Sequence, residues 1–297
     1  MSRPFVLCVI TVTLGLAPLM AQQGGRQGGP PSMGGGQCAN NPLNCPDAVN
    51  PLPAATTVWL EEMTWMDVRD AMKAGKKTII ISTGGVEPNG PWLALGKHNY
   101  VLRANCEATA RLLGDALCAP IVPFVPEGRL DPPSGHMTSP GTISVTEETF
   151  GALLSDIVLS MKVHGFEHIV LIGDSGGNVR GMQAVADKFT KEWSGTPKVI
   201  HVREHYDYST VTAAMEAKGL IPAGRKSDGL HDDPTITMNM MVTDPDSVRW
   251  EARVKAGKAT IDGVSIADLN KALAIGKEIV AFRAQVTAAA IRKATGR

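Results

Sequence analysis

Apolar and polar positions form blocks along most of the chain, and these blocks have the lengths of strands and helices. The short apolar runs are rich in β-branched residues, as is typical of buried strands: KTIIIST, APIVPFVP, HIVLIGD and KVIHVREHYD. Segments with helical spacing lie between them, over residues 65–74, 100–117, 147–164 and 179–192. Strands that alternate with helices predict parallel βαβ units, and therefore an α/β fold. The apolar stretch TITMNMMV and a final helix over 266–293 complete the prediction.

Polar residues of catalytic type concentrate in the loops that follow the predicted strands. These loops read GGVEPNGPWLALGKHN, PEGRLDPPSGHMTSPGT, GDSGGN and EHYDYS. In an open parallel sheet the ligand site lies beyond the carboxyl ends of the strands. We therefore expect the four loops to meet at one end of the sheet and to form a binding site there.

The first 21 residues have the layout of a secretory signal peptide. Arg3 precedes an apolar run from Phe5 to Leu16, and small residues follow up to Ala21. The run is too short for a comfortable membrane span. We expect an exported protein, periplasmic or secreted, whose mature chain begins near Gln22.

Residues 22–55 form a linker rich in Gly and Pro, and an α/β domain is expected over 56–297. The linker contains Cys38 and Cys45, and a local disulfide between them is the natural interpretation in an oxidising compartment. Two unpaired thiols remain the alternative. Cys106 and Cys118, within the domain, are predicted to pack as small apolar residues.

The charge balance bears on the kind of partner. Lys and Arg together number 29, as do Asp and Glu, so the formal net charge is zero. The sequence has no basic stripe or acidic tail that would attract nucleic acid or an anionic membrane. A small, roughly neutral molecule fits better as the substrate.

Four segments, in this order, resemble the motifs of the creatininase (creatinine amidohydrolase) family: GVEPNGPWLALGKH, HMTSPGTIS, GDSGGN and LHDDPTIT. The corresponding family segments are Thr-Glu-x-His-Gly-Pro-x-Leu-Pro-Leu-Gly-x-Asp, His-x-x-Phe-Pro-Gly-Thr, Asn-Gly-His-Gly-Gly-Asn and His-Ala-Gly-Glu. The similarity covers most of residues 60–290. It implies a three-layer α/β sandwich around a mostly parallel sheet, hydrolysis of a C–N bond and a homo-oligomer.

The resemblance also implies a metal centre, but its ligand positions have changed. The family binds two divalent metals, and Glu87 matches its glutamate ligand. Asn89 stands where the first histidine is expected, His98 where the bridging aspartate is expected, and Ser175 where the turn histidine is expected. An amide and a hydroxyl are poor substitutes for imidazole and carboxylate at such a metal.

A carboxylate and an imidazole have in effect exchanged places between two motifs. The turn that lost its histidine has Asp174 directly before Ser175, while the aspartate position became His98. Glu87, His98 and Asp174 are therefore predicted to hold one divalent ion, Zn²⁺, Mn²⁺ or Fe²⁺, with positions open for water and substrate. In the alternative interpretation, Asp174 caps the following helix and His98 is a polar loop residue.

Two family histidines are retained at His136 and His231. His231, with Asp233, is predicted to move protons, and His136 is a third predicted catalytic residue, expected at the rim of the site. Plain hydrogen-bonding roles are the alternative for both histidines. The predicted substrate-binding residues are Asn89, Ser175, Gly176, Gly177 and Asn178.

The leading functional hypothesis is an exported, metal-assisted hydrolase acting on a cyclic amide or a similar small polar molecule. One alternative is a metal-free binding protein or pseudoenzyme on the same fold. Another is a metal-independent hydrolase or lyase that uses Ser175 or the histidines on a sugar-like or lactone substrate. A phosphate-binding loop is excluded because no Gly-Lys-Ser/Thr follows the glycines, and the Gly-x-Ser-x-Gly elbow of serine hydrolases is missing.

Overall fold

A four-stranded parallel sheet is the centre of the molecule. The computed structural model describes residues 47–297; the predicted signal peptide, most of the linker, Cys38 and Cys45 lie outside the described residues. The strands are β1 (Thr78–Thr83), β2 (Ala116–Cys118), β3 (His168–Gly173) and β4 (Lys198–His201). All neighbours are parallel and the order is β2-β1-β3-β4. A small antiparallel pair follows, β5 (Thr260–Ile261) and β6 (Val264–Ser265).

Eight α-helices surround the sheet. They are α1 (Trp65–Lys73), α2 (Lys97–Leu113), α3 (Glu147–Val163), α4 (Asn178–Glu192), α5 (Tyr208–Ala217), α6 (Pro234–Thr243), α7 (Trp250–Lys255) and α8 (Leu269–Thr295), counted over residues 47–297. Short polar side chains start several of them: the Thr64 and Asp67 side chains form a capping box on α1, and Asp268 caps α8. The α/β sandwich predicted from the sequence is confirmed.

The strand order reverses direction next to β1. The chain moves from β1 to β2 on one side and then to β3 on the other side. Because parallel crossovers are right-handed, α2 covers one face of the sheet, while α3 and α4 cover the other. The loops after β1 and β3 therefore meet at a topological switch point, the usual ligand site of an open α/β sheet.

Two apolar clusters hold the layers together. In the first, β-branched residues of the sheet pack against α2, α3 and α4, and every residue of β1 is buried. The second cluster lies around α6 and α8 and is rich in methionine: Met215, Met238, Met240 and Met241. Methionine fills irregular gaps between helices that cross without a shared sheet.

Several sequence predictions are wrong in detail. The second strand is Ala116–Cys118 rather than APIVPFVP, and beyond it only an isolated bridge joins Thr83 to Val122 in the described structure. The stretch TITMNMMV, to which the sequence assigned no element, is part of the helix α6. Cys106 and Cys118 do not pack as free thiols, since their Sγ atoms form a disulfide at 2.13 Å. Among residues 47–297, no helix is both long and apolar enough to cross a membrane.

Candidate active site at the switch point of the sheet

A cavity of about 340 Å³ opens at the carboxyl ends of β1 and β3. Its lining includes three histidines, two glutamates and a tyrosine: His98, His136, His231, Glu87, Glu127 and Tyr206. The turn Ser175-Gly176-Gly177 forms one wall. A Cβ on Gly177 would lie 2.5 Å from the Pro126 carbonyl oxygen, so the turn can approach this neighbouring loop only with glycine there.

Glu87 is the centre of the polar contacts in this cavity. Its side chain is almost completely buried, and its two oxygens face different groups. Oε1 accepts from Lys97 Nζ at 3.0 Å and from His98 Nε2 at 2.9 Å. Oε2 lies 2.9 Å from His136 Nδ1. Burial acts to raise the pKa of Glu87, but the hydrogen bond and charge of His98, with the charge of Lys97, lower it overall.

His98 connects Glu87 to a second buried carboxylate, Asp174. His98 Nδ1 lies 2.8 Å from Asp174 Oδ2, so both ring nitrogens face carboxylate oxygens. Burial opposes protonation of this ring, but the hydrogen bonds to Asp174 and Glu87 raise the pKa of His98 overall. An imidazolium ion, which donates from both nitrogens, fits this position.

Asp174 is fully buried and its oxygens are occupied. Oδ1 accepts from Tyr208 Oη at 2.6 Å and from Arg283 Nη2 at 2.7 Å, and Oδ2 faces His98. Burial acts to raise the pKa of Asp174, but the charge of Arg283 and the hydrogen bond to His98 lower it overall. Asp174 does not line the cavity, and this end of the network has no room for a further ligand.

Glu127 lies on the other side of Glu87, with its Oε2 3.3 Å from His136 Nδ1. It comes from the loop after β2, and its Oε1 is buried without a hydrogen-bond partner in the described part of the chain. A Cβ on Gly85 would lie 2.1 Å from this oxygen, so a larger residue there would displace the Glu127 carboxyl group. Burial and the negative charge of Glu87 raise the pKa of Glu127 to about 8.

Glu87, Glu127 and His136 form a group that could hold a metal ion. Each offers one ligand atom, and these atoms all lie within 4.8 Å of one another. Two carboxylates and one imidazole suit Zn²⁺, Mn²⁺ or Fe²⁺. Glu127 Oε1 has no hydrogen-bond partner among the described residues, and the pKa of this carboxyl group is raised by the nearby Glu87. Both features are expected for two neighbouring carboxyl groups in the absence of a cation that neutralises them. The residues present therefore fit one divalent ion.

This group shares only Glu87 with the set predicted from the sequence. His98 is in the cavity wall, but both its nitrogens are engaged, and Asp174 lies behind it among Tyr208, Arg283 and His98. The geometry brings Glu87, His98 and Asp174 into one hydrogen-bonded chain rather than around one point in the cavity.

His231 lies at the rim of the cavity with a defined tautomer. Its Nε2 is 3.2 Å from Lys97 Nζ, and its Nδ1 is 3.2 Å from the Pro88 carbonyl oxygen. Because the Lys97 ammonium can only donate, His231 Nε2 must accept its hydrogen bond. The ring proton is therefore on Nδ1, which donates a hydrogen bond to the Pro88 carbonyl oxygen. Burial and the charge of Lys97 lower the pKa of His231, which agrees with a neutral ring. The His231 and His136 rings lie 5.7 Å apart.

The remaining predicted residues take structural positions or line the wall. Asn89 donates to the carbonyl oxygens of Glu87 and Ala94 and so holds the loop after β1. Asn178 is buried and ties α4 to the end of β1 through Thr83 and Gly84. Asp233 caps α6 by accepting from the backbone N–H groups of Thr235 and Ile236. Ser175, Gly176 and Gly177 line the cavity.

Sequence reasoning missed two residues that contact Glu87 or its neighbours. Lys97 precedes His98 in LGKHN, where an exposed lysine is the ordinary expectation. Glu127 lies in VPEGRL, a segment that carries no family motif. The available signal was position, since both residues lie in segments predicted as loops after strands of the sheet.

Comparisons with known proteins find one matching sequence family and a group of similar solved structures. The model of the creatininase family, described as creatinine amidohydrolase, matches residues 61–289. No curated protein matches the sequence. Similar solved structures include a mutant creatininase of the Zn-Zn type (21% identity, TM-score 0.59), a mutant creatininase complexed with creatine (21%, 0.60) and a structure named Creatininase Mn (20%, 0.57). Each comparison covers 80% of this chain and 98% of the other.

Proposed function

The chain belongs to the creatininase family, a family of amidohydrolases, and we propose that it opens a C–N bond in a small cyclic amide related to creatinine. The observation that carries this proposal is the group Glu87, Glu127 and His136 at the base of the cavity. A cavity of about 340 Å³ lies at the lower end of the range for small-molecule sites, which favours a compact polar substrate.

Glu87, Glu127 and His136 are the residues that would hold the metal. When bound, a divalent ion polarises a carbonyl group and makes a bound water more acidic. Oε2 is the oxygen of Glu87 that would be available to a metal, because Lys97 and His98 already occupy Oε1. Glu127 must lose its proton on binding, since a carboxylate rather than a carboxylic acid is the ligand.

We assign proton transfer to His231, held by Lys97 rather than by Asp233. Asp233 is engaged as the cap of α6, whereas Lys97 Nζ holds His231 Nε2. About half of the His231 side chain is exposed, so the ring can reach a molecule in the cavity. A small rotation away from Lys97 frees Nε2 to take a proton from water and to return one to the leaving nitrogen.

The wall of glycine backbone leaves space for a flat molecule. Gly176 and Gly177 have no side chains to enter the cavity, and Tyr206 lies beside Gly176. Burial and the charges of Asp174 and Glu87 raise the pKa of Tyr206, so its hydroxyl keeps its proton and can donate to a substrate oxygen.

The test combines metal content with hydrolysis of a panel of five-membered cyclic amides that includes creatinine. Purified protein is incubated with Zn²⁺ or Mn²⁺, dialysed and analysed for bound metal, and ring opening is followed by chromatography. One ion per chain with metal-dependent ring opening supports the proposal. An ion-free protein that binds a cyclic amide without opening it supports the pseudoenzyme alternative instead.

Export to an oxidising compartment also stays a proposal, and the disulfide Cys106–Cys118 supports it. Disulfides persist in secreted and periplasmic proteins and are rare in the cytosol. Intact-mass measurement of material from the periplasm should show a chain beginning near Gln22 with no free thiol at Cys38 or Cys45. Homo-oligomer formation is testable on the same material by light scattering.

A further inference from the structure

His231 has an uncommon backbone conformation for a residue with a side chain. Its φ angle is 60°, which lies in the left-handed region. A residue other than glycine is strained there, and it keeps this conformation only where the surrounding structure imposes it. The contacts on either side of His231 must therefore hold its backbone in place.

A buried ion pair begins directly after His231. Asp232 and Arg253, a residue of α7, are each only 2% exposed. Asp232 Oδ2 accepts a hydrogen bond from Arg253 Nη2 at 2.6 Å, and Arg253 Nε donates to the Lys258 carbonyl oxygen at 2.7 Å. The pair fixes the Asp232 side chain in the interior, while the His231 side chain lies at the cavity.

The loop after β1 holds the other side of His231. The His231 ring donates from Nδ1 to the Pro88 carbonyl oxygen at 3.2 Å. A Cβ on Gly90 would lie 2.7 Å from the Leu230 carbonyl oxygen, so this close approach of the two loops requires glycine. His231 is thus held between the loop after β1 and the ion pair of Asp232.

Stability alone does not explain a buried ion pair at this position. Taking two charges out of water costs about as much as their attraction returns, and apolar residues of similar volume can often replace such a pair without loss of stability. What the pair does specify is geometry. The backbone that it fixes is that of the residue next to His231, whose own conformation is strained.

We propose that Asp232 and Arg253 are positioning residues, which hold His231 in its left-handed conformation and so keep its Nε2 at the cavity, 3.6 Å from Glu87 Oε1. The inference rests on the proposed function in taking His231 as the residue that transfers protons. In the described structure neither Asp232 nor Arg253 lines the cavity, so both act through His231. Loss of the pair should lower turnover more than substrate binding, because proton transfer depends on placement within a fraction of an ångström.

The first measurement is the steady-state hydrolysis of creatinine by Arg253→Met. We expect kcat to fall about 100-fold while KM stays within about threefold of the wild-type value. Arg253→Lys keeps a cation for Asp232 and should recover at least about a tenth of the wild-type kcat. Leu154→Ala is the control for lost stability, since Leu154 is a fully buried residue of α3 outside the cavity lining, and it should keep its kcat.

The second measurement needs no substrate. Nitrogen NMR of the metal-free proteins labelled at histidine reports the tautomer of each ring, and His231→Ala assigns the signals of His231. The wild type should show the tautomer protonated at Nδ1, because Lys97 donates to Nε2 and Pro88 accepts from Nδ1. Arg253→Met should show a mixture of tautomers at His231, whereas Leu154→Ala should keep the wild-type signals.

The two measurements separate this inference from the proposed function. An unchanged His231 spectrum in folded Arg253→Met would overturn the positioning role, whatever the kcat. A changed spectrum would support that role even if the wild type does not open creatinine, and a changed spectrum with an unchanged kcat would support it while removing proton transfer from His231. If Arg253→Met does not fold, Arg253→Met combined with Asp232→Asn, which leaves no unpaired buried charge, replaces it with the same expectations.

Discussion

The buried polar network has two ends that differ in how completely their carboxylates are paired. At the Asp174 end, both oxygens accept hydrogen bonds, from Tyr208, Arg283 and His98, and no part of the residue reaches the cavity. At the Glu127 end, one oxygen has no partner in the described structure and the pKa is raised to about 8. His98 and Glu87 connect the two ends.

This difference indicates that the Asp174 end stabilises the fold, whereas the Glu127 end binds ligands and takes part in catalysis. A buried carboxylate whose oxygens all accept hydrogen bonds has no lone pair left for a ligand. Its removal leaves the positive charge of its partner uncompensated. An under-paired carboxylate next to another carboxylate is unstable as an anion and gains most from a proton or a metal ion. We therefore expect substitutions at the Asp174 end to affect mainly stability, and those at the Glu127 end mainly metal binding and catalysis.

The largest expected effect is on the stability of Asp174→Asn. Arg283 is buried, and removal of its carboxylate partner leaves a charge that water cannot reach. Breaking such a pair lowers the free energy of unfolding by about 3–5 kcal/mol. Urea denaturation of the metal-free protein measures it.

Metal analysis of the same variant separates the two ligand sets. If folded Asp174→Asn keeps its ion, the group with Glu127 and His136 is supported. If its ion is lost while the fold is intact, Asp174 is a ligand, as the sequence predicted.

The second effect is on activity, in Glu127→Gln. The amide keeps the shape of the neutral carboxyl group but cannot replace a carboxylate on a metal. We expect loss of the bound ion and a fall in hydrolysis of about 100-fold or more, roughly 3 kcal/mol in the barrier. The free energy of unfolding of the metal-free protein should change by less than about 1 kcal/mol, because the group replaced is uncharged.

Glu148→Gln is the matched control for this substitution, since Glu148 is an exposed glutamate of α3 outside the cavity. It should leave metal content and activity unchanged. Full activity of Glu127→Gln would place the chemistry elsewhere in the cavity.

The sequence predicted the fold better than the site because the fold depends on regular patterns. The strands β1 and β3 are predicted by short apolar runs rich in β-branched residues, and the position of their loops by the rule for parallel sheets. Motif matching brought Glu87, His98, His136 and His231 to one cavity end. It could not show that Asp174 faces Arg283, because that contact joins residues 109 positions apart. Lys97 and Glu127 were missed because burial gives a charged residue its role, and burial is not visible in a loop sequence.

The third effect is on the pH dependence of stability, and it tests whether water is excluded from the Asp174 end of the network. His205 lies behind it, fully buried, with its carbonyl oxygen bound by Arg283. Burial and the charge of Arg283 lower the pKa of His205 to about 3, from 6.5. Between these values the unfolded chain binds a proton that the folded protein does not, so stability falls as the pH falls.

From pH 6.5 to 4.5 this loss should reach about 2 kcal/mol in the free energy of unfolding. His201, whose pKa is lowered to about 4, acts in the same direction. In His205→Asn the loss of unfolding free energy between pH 6.5 and 4.5 should be smaller by about 2 kcal/mol than in the wild type, because this titrating group is absent. Urea unfolding at the two pH values measures the difference. An unchanged pH dependence would mean that water reaches His205 and that this end is not sealed.

The smallest effect is expected for Ser175→Ala, at the boundary between the two ends. Ser175 lines the cavity directly after Asp174, and within the described residues its hydroxyl has no hydrogen-bond partner. A nucleophilic serine needs a base within hydrogen-bonding reach, and among the described residues no histidine or carboxylate forms a hydrogen bond with the Ser175 hydroxyl. A neutral hydroxyl also contributes little as a metal ligand. Ser175→Ala should therefore keep its bound ion, stay within about 0.5 kcal/mol of the wild-type stability and retain activity within about threefold.

A loss of activity above about 100-fold with the ion still bound would identify Ser175 as the nucleophile. The Glu127 end of the network would then orient the substrate rather than bind a catalytic metal.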